Sequence, residues 1–315
     1  MNRKAIIFGI KGYKLTNKEK ILFRKFKPWG IILFSRNIKN IEQLKSLVNE
    51  IKRILNDKKY PILIDEEGGN VTRLKKIIDL SYFSQNYFSE IYKEDKRLFY
   101  KFYKIYINQL CNIFKSVGIN INTVPVLDVR RKNSHKIIGT RSFSTNSKVV
   151  SELGNVCINL YNKNKIATVI KHIPGHGMTK SDSHYKTPIT TLSKLKLRNK
   201  DFVPFKNSKS FFAMTAHVIF KKYDKFFTAT HSSKIIKEVI RGHINFKGIL
   251  ISDDISMKSL KYKLEKNAIF SLKAGCNLVL HCNGNINEMI KLAKVVPKID
   301  IFTQKKTSQF YKFLM

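Results

Sequence analysis

Residues 247–254 read KGILISDD, a short apolar run that ends in Ser252 and two carboxylates, Asp253 and Asp254. The run is unbroken and does not alternate with polar residues, which is typical of a strand buried on both faces in a parallel sheet. A carboxylate that directly follows such a strand is held by a rigid element and faces the loops beyond it. This segment therefore predicts a parallel sheet with a polar edge.

Seven further runs of the same kind occur along the chain, and helical patterns separate them. The eight strand candidates are Ala5–Ile10, Gly30–Phe34, Pro61–Asp65, Asn122–Val129, Ile166–His172, Phe211–Phe220, Lys247–Ser252 and Asn277–His281. The helical patterns are Ile41–Leu55, Lys96–Val117, Ser147–Lys163, Ser233–Arg241, Leu264–Ala274 and a segment that starts near Ile286. Eight strands alternating with helices predict an α/β fold, a single-domain (β/α)8 barrel of the TIM type over residues 1–315.

A doubly wound open sheet is the alternative fold. No glycine-rich G-x-G-x-x-G turn follows an early strand, which disfavours that fold. The tail from about residue 298 is polar and mixed, and we leave it unassigned. The segment 198–210 is short for a barrel helix, so we expect one helix of the outer ring to be trimmed.

Composition excludes several classes of protein. A hydrophobic fraction of 43% is enough to bury a sizeable core, which excludes wholesale disorder. No stretch approaches the roughly 18 apolar residues of a membrane helix, and the apolar run after Lys4 is too short for a signal peptide. Four cysteines in 315 residues do not make a disulfide framework. We therefore expect a reduced, cytoplasmic protein without a membrane partner.

The chain is strongly basic, with 60 Lys and Arg against 22 Asp and Glu and a formal net charge of +38. Lysine supplies 49 of these cations and arginine only 11. A nucleic-acid binder would favour arginine, whose planar fork pairs with phosphates and bases. Because Lys, Ile, Asn, Phe and Tyr share AT-rich codons, we interpret the lysine excess as mutational bias. Selection for an anionic partner is the alternative interpretation.

Polar residues follow the predicted strands at their carboxyl ends. In a barrel these ends meet at one rim, where the active sites of such folds lie. Five strands deliver chemistry-bearing groups there, namely Asp65, Asp128, Arg141, Lys171, His172, His217, Asp253 and Asp254. Each residue alone fits a structural role, whereas their convergence from five strands predicts an active site.

The two adjacent carboxylates Asp253 and Asp254 cannot both face one substrate, because side chains alternate along a strand. We expect one of them to serve chemistry, as a nucleophile or general acid/base, and the other to cap the turn that follows. On the sixth strand, His217 fits a role in lining the site or a role behind it equally well.

The loop 171–188 reads KHIPGHGMTKSDSHYKTP and places Asp182 two residues before His184. An aspartate so close to a histidine can orient the imidazole and raise its basicity, which suits a general acid/base near neutral pH. A metal site at His172, His176 and His184 is the competing hypothesis. Their spacing is a poor match to zinc signatures, so we expect neither a metal nor another cofactor.

Seven ordered motifs resemble glycoside hydrolase family 3, and specifically its single-domain bacterial β-N-acetylhexosaminidases of peptidoglycan recycling. They are GIILFSRN (30–37), IDEEGGNVTRL (64–74), TVPVLDV (123–129), IIGTRSFS (137–144), KHIPGHGMTKSDSH (171–184), MTAHVIF (214–220) and GILISDDISM (248–257). The sequence departs from the family pattern at Glu66, where Gln is usual, and at Asn70, where Arg is usual. Met178 and Lys180 replace residues that are commonly acidic.

The resemblance implies a retaining exo-β-N-acetylglucosaminidase that acts on muropeptides such as N-acetylglucosaminyl-anhydro-muramyl peptides, as a monomer that binds no specific nucleic acid. It implies Asp253 as the nucleophile, and His184 with Asp182 as the acid/base dyad. The implied sugar-binding residues are Asp65, Arg73, Arg141, Lys171 and His172. Three alternatives remain open: a β-glucosidase of the same family, a catalytically weakened family member, or a protein that uses a barrel scaffold to bind nucleic acid or another anionic surface.

Overall fold

A computed structural model describes residues 2–131, 138–179 and 186–315 of the chain. Its centre is a closed barrel of eight strands, whose neighbours follow the order β1-β2-β3-β4-β5-β7-β9-β10 and back to β1. The strands of the structure are β1 (Lys4–Gly9), β2 (Pro28–Leu33), β3 (Ile62–Ile64), β4 (Ile121–Asn122), β5 (Ala167–Ile173), β6 (Ile189–Thr190), β7 (Phe212–Thr215), β8 (Ile219–Phe220), β9 (Ile249–Asp254) and β10 (Leu278–His281). The short strands β6 and β8 pair with each other outside the barrel.

Helices surround the barrel. They are α1 (Asn17–Phe26), α2 (Ile41–Ile54), α3 (Gln85–Glu94), α4 (Lys96–Val117), α5 (Ser147–Lys163), α6 (Lys194–Lys196), α7 (Leu264–Ala274), α8 (Ile286–Val295) and α9 (Ile301–Phe313). Single turns of 3₁₀-helix span Ser35–Asn37, Gly139–Arg141 and Val203–Phe205, and π-helical segments span Leu197–Asp201 and Ile235–His243. No helix in the three described stretches is long and apolar enough to cross a membrane.

Parallel pairing closes the barrel all the way round. The first and last strands meet with Ile7 opposite Leu280, and both side chains are buried. The strands are apolar on both faces because one face fills the barrel and the other packs against the helices. The structure confirms the predicted (β/α)8 barrel, and the eight predicted strands all contribute to it.

Two predicted strands are shorter than expected. The ladder of β4 ends at Asn122, three residues before Pro125, which has no N–H to donate. The chain beyond stays against β5 by a hydrogen bond from the Leu127 N–H to the Lys171 carbonyl, at 2.7 Å. The predicted strand 211–220 is also divided, because its second half leaves the barrel as β8 to pair with β6.

Three helices lie where the sequence patterns assigned none. α1 begins at a capping box in which Thr16 and Glu19 exchange hydrogen bonds with each other's backbone N–H groups. α3 lies beside α4, and α9 occupies the unassigned tail. α9 packs on the amino-terminal ends of β2 and β7, where the Trp29 indole N–H donates to the Thr307 hydroxyl at 2.9 Å. Between β6 and β7 the outer ring has only the three-residue α6 and two short helical turns, in line with the trimmed helix we expected.

Candidate active site

The carboxyl ends of the barrel strands open into a cavity of about 380 Å³. Its size is at the lower end of the range for ligand pockets, roughly 300–1,000 Å³. Six residues singled out from the sequence line this cavity: Asp65, Arg73, Arg141, Lys171, His172 and Asp253. The remaining two, Asp182 and His184, lie outside the described residues. The structure thus brings together every described residue to which the family resemblance assigns a role, whereas Asp128, His217 and Asp254 do not line the cavity.

Asp65 follows β3 and carries two cationic partners. Its Oδ1 accepts from the Lys171 ammonium at 2.6 Å, and its Oδ2 accepts from the Arg73 guanidinium at 2.6 Å. Oδ1 also accepts a hydrogen bond from the Thr123 hydroxyl. Burial raises the pKa of Asp65, but the two cations and these hydrogen bonds outweigh it and hold the pKa well below its ordinary value. Asp65 is therefore a fixed anionic acceptor on the cavity wall.

Glu67 is a site residue that the sequence analysis did not single out. Its carboxylate accepts two hydrogen bonds from the Arg141 guanidinium, at 2.7 and 2.8 Å, and lies 2.6 Å from the Lys171 ammonium. Burial raises the pKa of Glu67, and the charges of Arg141 and Lys171 lower it to below the ordinary value. Glu67 thereby fixes two of the predicted sugar-binding cations. An acidic residue just past a strand end, in a chain with only 22 of them, was the available signal.

Asp128, in the segment after β4, orients His172. Its Oδ2 lies 2.7 Å from His172 Nδ1, and its Oδ1 accepts from the His176 backbone N–H at 2.6 Å. Burial raises the pKa of Asp128, but the two histidines lower it by a larger amount, so the net shift is downward. An ionised carboxylate only accepts, so His172 Nδ1 carries a proton and donates to Asp128.

His176 lines the same cavity but differs from His172. Its Nδ1 lies 3.1 Å from the Thr179 hydroxyl, and the residue is almost fully buried. Burial lowers the pKa of His176 to about 4. The imidazole is therefore neutral at pH 7, and it contributes no charge to the cavity.

Asp253 and Asp254, at the end of β9, have divided roles. Asp253 lines the cavity and accepts from the backbone N–H of Asp254 at 2.8 Å. Asp254 points the other way and accepts from the backbone N–H and the hydroxyl of Ser256, at 3.1 and 2.8 Å. The predicted turn cap is thus Asp254. Burial raises the pKa of Asp253, while His217, His172 and the Asp254 N–H lower it, and the net shift is downward.

His217 supports β9 from behind and does not line the cavity. Its Nε2 lies 3.0 Å from the Asp254 carbonyl oxygen, and its Nδ1 lies 2.7 Å from the Thr230 hydroxyl. Because a carbonyl only accepts, Nε2 carries the proton and Nδ1 accepts from Thr230. Burial lowers the pKa of His217, which agrees with a neutral ring in this tautomer.

An aromatic side chain forms part of the cavity wall. Phe34, just past β2, lines the cavity. The guanidinium carbons of Arg36 and Arg73 lie 4.8 and 5.4 Å from its ring centroid, within the range of cation–π attraction. The sequence analysis did not single out Phe34, although its place at a strand end was the same signal that marked Asp65.

The competing metal hypothesis includes His184, which lies outside the described residues. Within residues 2–131, 138–179 and 186–315, no three side chains of the His, Cys, Asp or Glu type are grouped so that they could bind an ion. His172 and His176 instead use Asp128 and Thr179 as hydrogen-bond partners.

Comparison with known proteins identifies the family. The profile described as "Glycosyl hydrolase family 3 N terminal domain" matches residues 11–310. The chain belongs to glycosyl hydrolase family 3. Family 3 membership confirms the resemblance of the seven motifs and makes the protein a glycoside hydrolase.

Curated family 3 relatives are β-hexosaminidases. The chain is 30% identical to the β-hexosaminidase of Psychromonas ingrahamii over 314 residues, which cover 98% of this chain and 89% of that protein. It is 33% identical to the β-hexosaminidase of Neisseria meningitidis serogroup B over 288 residues, which cover 89% and 78%.

A solved family 3 structure has the same fold. NagZ from Neisseria gonorrhoeae, in complex with N-trifluoroacetyl-D-glucosamine, superposes with a TM-score of 0.87 at 29% sequence identity. The match covers 100% of this chain and 90% of that one. The likeness therefore extends over the whole family 3 barrel, including the strand ends that line the cavity.

Proposed function

We propose that the protein is a retaining exo-β-N-acetylglucosaminidase that removes terminal N-acetylglucosamine from muropeptides. The observation that carries the proposal is the convergence of Asp253 with Asp65, Arg73, Arg141, Lys171 and His172 on one cavity. An ionised carboxylate in a cavity lined by hydrogen-bonding side chains suits glycoside hydrolysis through a covalent intermediate. The β-hexosaminidase relatives support the choice of sugar.

Asp253 is the proposed nucleophile. Its lowered pKa keeps the carboxylate charged, and its place at the end of β9 holds it rigidly. An Asp253 oxygen attacks the anomeric carbon, the bond from that carbon to the leaving oxygen breaks, and a glycosyl ester forms. Water then attacks the same carbon, releases the sugar with retained configuration and frees the carboxylate.

The proposed acid/base is the His184–Asp182 dyad, which the sequence and the family resemblance support. In the first step the protonated imidazole gives its proton to the leaving oxygen, and in the second it takes a proton from the attacking water. Asp182 orients the ring and stabilises its charged form. An imidazole titrates near neutral pH without the strongly raised pKa that a carboxylic acid needs for this role.

The remaining cavity residues are proposed to bind the sugar. Ionised Asp65 accepts hydrogen bonds from hydroxyl groups, and the Arg73, Arg141 and Lys171 cations donate to hydroxyl and amide oxygens. The apolar side chains of Met214 and Leu280 line the same cavity and fit the carbon face of a sugar and its acetyl methyl. The gonococcal relative that binds N-trifluoroacetyl-D-glucosamine supports an N-acylated glucosamine here.

Muropeptides carry carboxylates, and the chain carries a net charge of +38, so the field around the protein favours their approach. This complementarity supports the proposed substrate class. We place the reaction in the cytoplasm and in cell-wall recycling, because the peptidoglycan-recycling enzymes that the motifs resemble act there.

The test compares two aryl glycosides that differ only at the sugar. We expect the purified protein to release the chromophore from the aryl β-N-acetylglucosaminide and not from the aryl β-glucoside. Hydrolysis of the glucoside alone would assign a β-glucosidase instead. Hydrolysis of neither would contradict an enzymatic role and favour binding of an anionic surface. Mass spectrometry with a slow fluorinated N-acetylglucosaminide should then find the sugar attached to Asp253.

A further inference from the structure

Glu66 is a carboxylate that the proposed chemistry does not use, yet it is fully buried beside the site. It does not line the cavity. Its two oxygens accept four hydrogen bonds: Oε1 from the Gly68 N–H, and Oε2 from the Arg73 N–H, the Leu74 N–H and the Thr72 hydroxyl. Every donor belongs to the loop of residues 68–74, which carries Arg73 into the cavity.

The hydrogen bond to Arg73 links this carboxylate to the sugar-binding residues. Glu66 Oε2 holds the Arg73 backbone N–H at 2.6 Å, while the guanidinium of the same residue reaches Asp65 Oδ2 at 2.6 Å. The Arg73 side chain is about three-quarters covered, and its Nε also donates to the Asp65 carbonyl oxygen at 3.0 Å. Displacement of the loop would therefore move the cation away from Asp65 and from any sugar bound next to this ion pair.

The backbone of Glu66 is itself anchored on the barrel. Its N–H donates to Asn122 Oδ1 at 3.1 Å, and its carbonyl accepts from Asn122 Nδ2 at 2.9 Å. Asn122 belongs to β4 and is fully buried. Glu66 thus connects a rigid strand at its backbone to the Arg73 loop at its side chain.

We infer that Glu66 is a positioning residue for sugar binding, whose carboxylate holds the loop of residues 68–74 so that Arg73 faces Asp65. The inference rests on the proposed role of Arg73 and Asp65. A carboxylate suits this task because both of its oxygens accept, whereas an amide has one accepting oxygen and would point an NH₂ group at a donor. With Gln at this position, the amide nitrogen replaces one of the two accepting oxygens. Either the Gly68 N–H or the three donors to Oε2 then lose their acceptor.

The pKa of Glu66 is shifted in the opposite direction to the pKa values of Asp65 and Asp253. Burial raises the pKa of Glu66, and the backbone N–H groups of Arg73, Leu74 and Gly68 offset only part of that rise. The titratable groups around it are Arg73 and Glu67 on its own segment, Tyr103 and Tyr106 from α4, and Cys157 and Tyr161 from α5. Since the pKa values of Asp65 and Asp253 are lowered, Glu66 loses its charge at a higher pH than they do as the solution is acidified.

The test is a double-mutant cycle with the aryl β-N-acetylglucosaminide. We expect Glu66→Gln to raise KM about tenfold with kcat within about twofold, because one buried hydrogen bond to a charged group is lost. In an Arg73→Gln background the same change should shift KM by less than about twofold, since the partner through which Glu66 acts is gone. Thr72→Val, which removes one donor to Glu66, should raise KM by a smaller factor and serves if Glu66→Gln does not fold.

The matched control is Glu19→Gln. Glu19 is also buried, accepts the Lys11 and Thr16 N–H groups at 2.9 and 2.7 Å, and lies outside the cavity lining. The Glu19→Gln substitution should leave KM unchanged. An equal effect of Glu66→Gln with and without Arg73, or no effect in either background, would overturn the inference.

Amide hydrogen exchange separates this inference from the proposed function. Glu66→Gln should speed exchange either at Gly68 or at Arg73 and Leu74, whichever side the amide nitrogen occupies, in the absence of any substrate, and Glu19→Gln should not. Faster exchange supports the role of Glu66 even if wild-type protein cleaves neither glycoside, a result that would refute the proposed activity alone. Unchanged exchange at the three amides would refute the role of Glu66 whatever the activity.

Discussion

Neighbouring residues of one type acquire different chemistry here from their hydrogen-bond partners. Asp253 is open to the cavity, while Asp254 is occupied by the N–H and hydroxyl of Ser256. His172 donates from Nδ1 to a carboxylate, while His217 donates from Nε2 to a carbonyl. Residue type and position along the chain define the candidates, and the partners decide which atom is available for a reaction.

The leaving group distinguishes the roles of Asp253 and His184. Asp253→Ala should abolish hydrolysis of every aryl N-acetylglucosaminide, because the attacking atom is missing. His184→Ala should lower kcat/KM, which reports formation of the glycosyl ester, about 10²–10⁴-fold with a poor leaving group, which needs a proton, and much less with a good one. Steady-state kinetics over a series of phenols of decreasing pKa measure this difference.

Asp224→Asn is the control for these variants, since Asp224 caps a turn at the Phe226 and Phe227 N–H groups and does not line the cavity. It should keep wild-type kinetics. An Asp253→Ala protein with full activity, or a His184→Ala protein equally impaired with all leaving groups, would contradict the assignments.

Elements position the site through close backbone contacts as well as through strand ends. Gly177, on the loop after β5, lies against the segment that follows β4, and a Cβ added to it would lie 2.0 Å from the Val129 carbonyl oxygen. Asp128, one residue before Val129, accepts the backbone N–H of His176. The two segments are therefore in close contact next to the Asp128–His172 pair.

Gly177→Ala should consequently impair the enzyme and the fold together. The added methyl group must push the two segments apart, which stretches the Asp128 hydrogen bonds and misplaces His172. We expect a fall in kcat/KM of roughly tenfold or more and a lower midpoint of thermal unfolding. Gly12→Ala is the matched control, because a Cβ there meets no atom within 4 Å. Equal behaviour of the two variants would show that the contact at Gly177 is unimportant.

At the scale of the whole molecule, nearly all of the lysines in the described residues lie away from the cavity. Lys171 is the single lysine among the described residues that line the cavity, although the chain has 49. Its charge is matched there by Asp65 and Glu67. This distribution agrees with the interpretation of the lysine excess as mutational bias. The charges inside the site come from a few buried ion pairs.

The stability of the whole molecule should depend on pH through its buried histidines. Burial lowers the pKa values of His176 and His231 to about 4, against an ordinary value of 6.5. Between these values the unfolded chain binds more protons than the folded one, so the free energy of unfolding falls as pH decreases. We expect a loss of roughly 1–3 kcal/mol between pH 7 and pH 5.5 in urea unfolding at constant ionic strength.

Carboxylates do not account for a loss of stability in that range. Burial raises the pKa values of Glu66 and Asp201, so any protonation of these groups would stabilise the folded state as pH falls. The pKa values of Asp65, Glu67, Asp128 and Asp253 are lowered, so their contribution is lost only when pH falls below the ordinary carboxyl values. Stability that is constant from pH 7 to pH 5.5 would mean that the two histidines are not held neutral by the fold.

The sequence by itself determined the barrel and most of its site. Unbroken apolar runs such as Ile249–Ile251 identify strands buried on both faces, and the polar residues after them mark the rim where parallel strands end. That reasoning reached Asp65, Lys171 and Asp253 without any contact being known. The family resemblance added Arg73, whose position within a loop has no periodic signal.

Only the tertiary structure decided which charges pair. Glu66 and Glu67 are adjacent and chemically alike, yet Glu66 holds the backbone of the Arg73 loop and Glu67 holds the side chains of Arg141 and Lys171. Those partners lie up to about a hundred residues away along the chain and meet only when β3, β4 and β5 pair side by side in the barrel. A local pattern carries no information about such contacts, because it records the order of residues and not the fold that brings distant strand ends to one cavity.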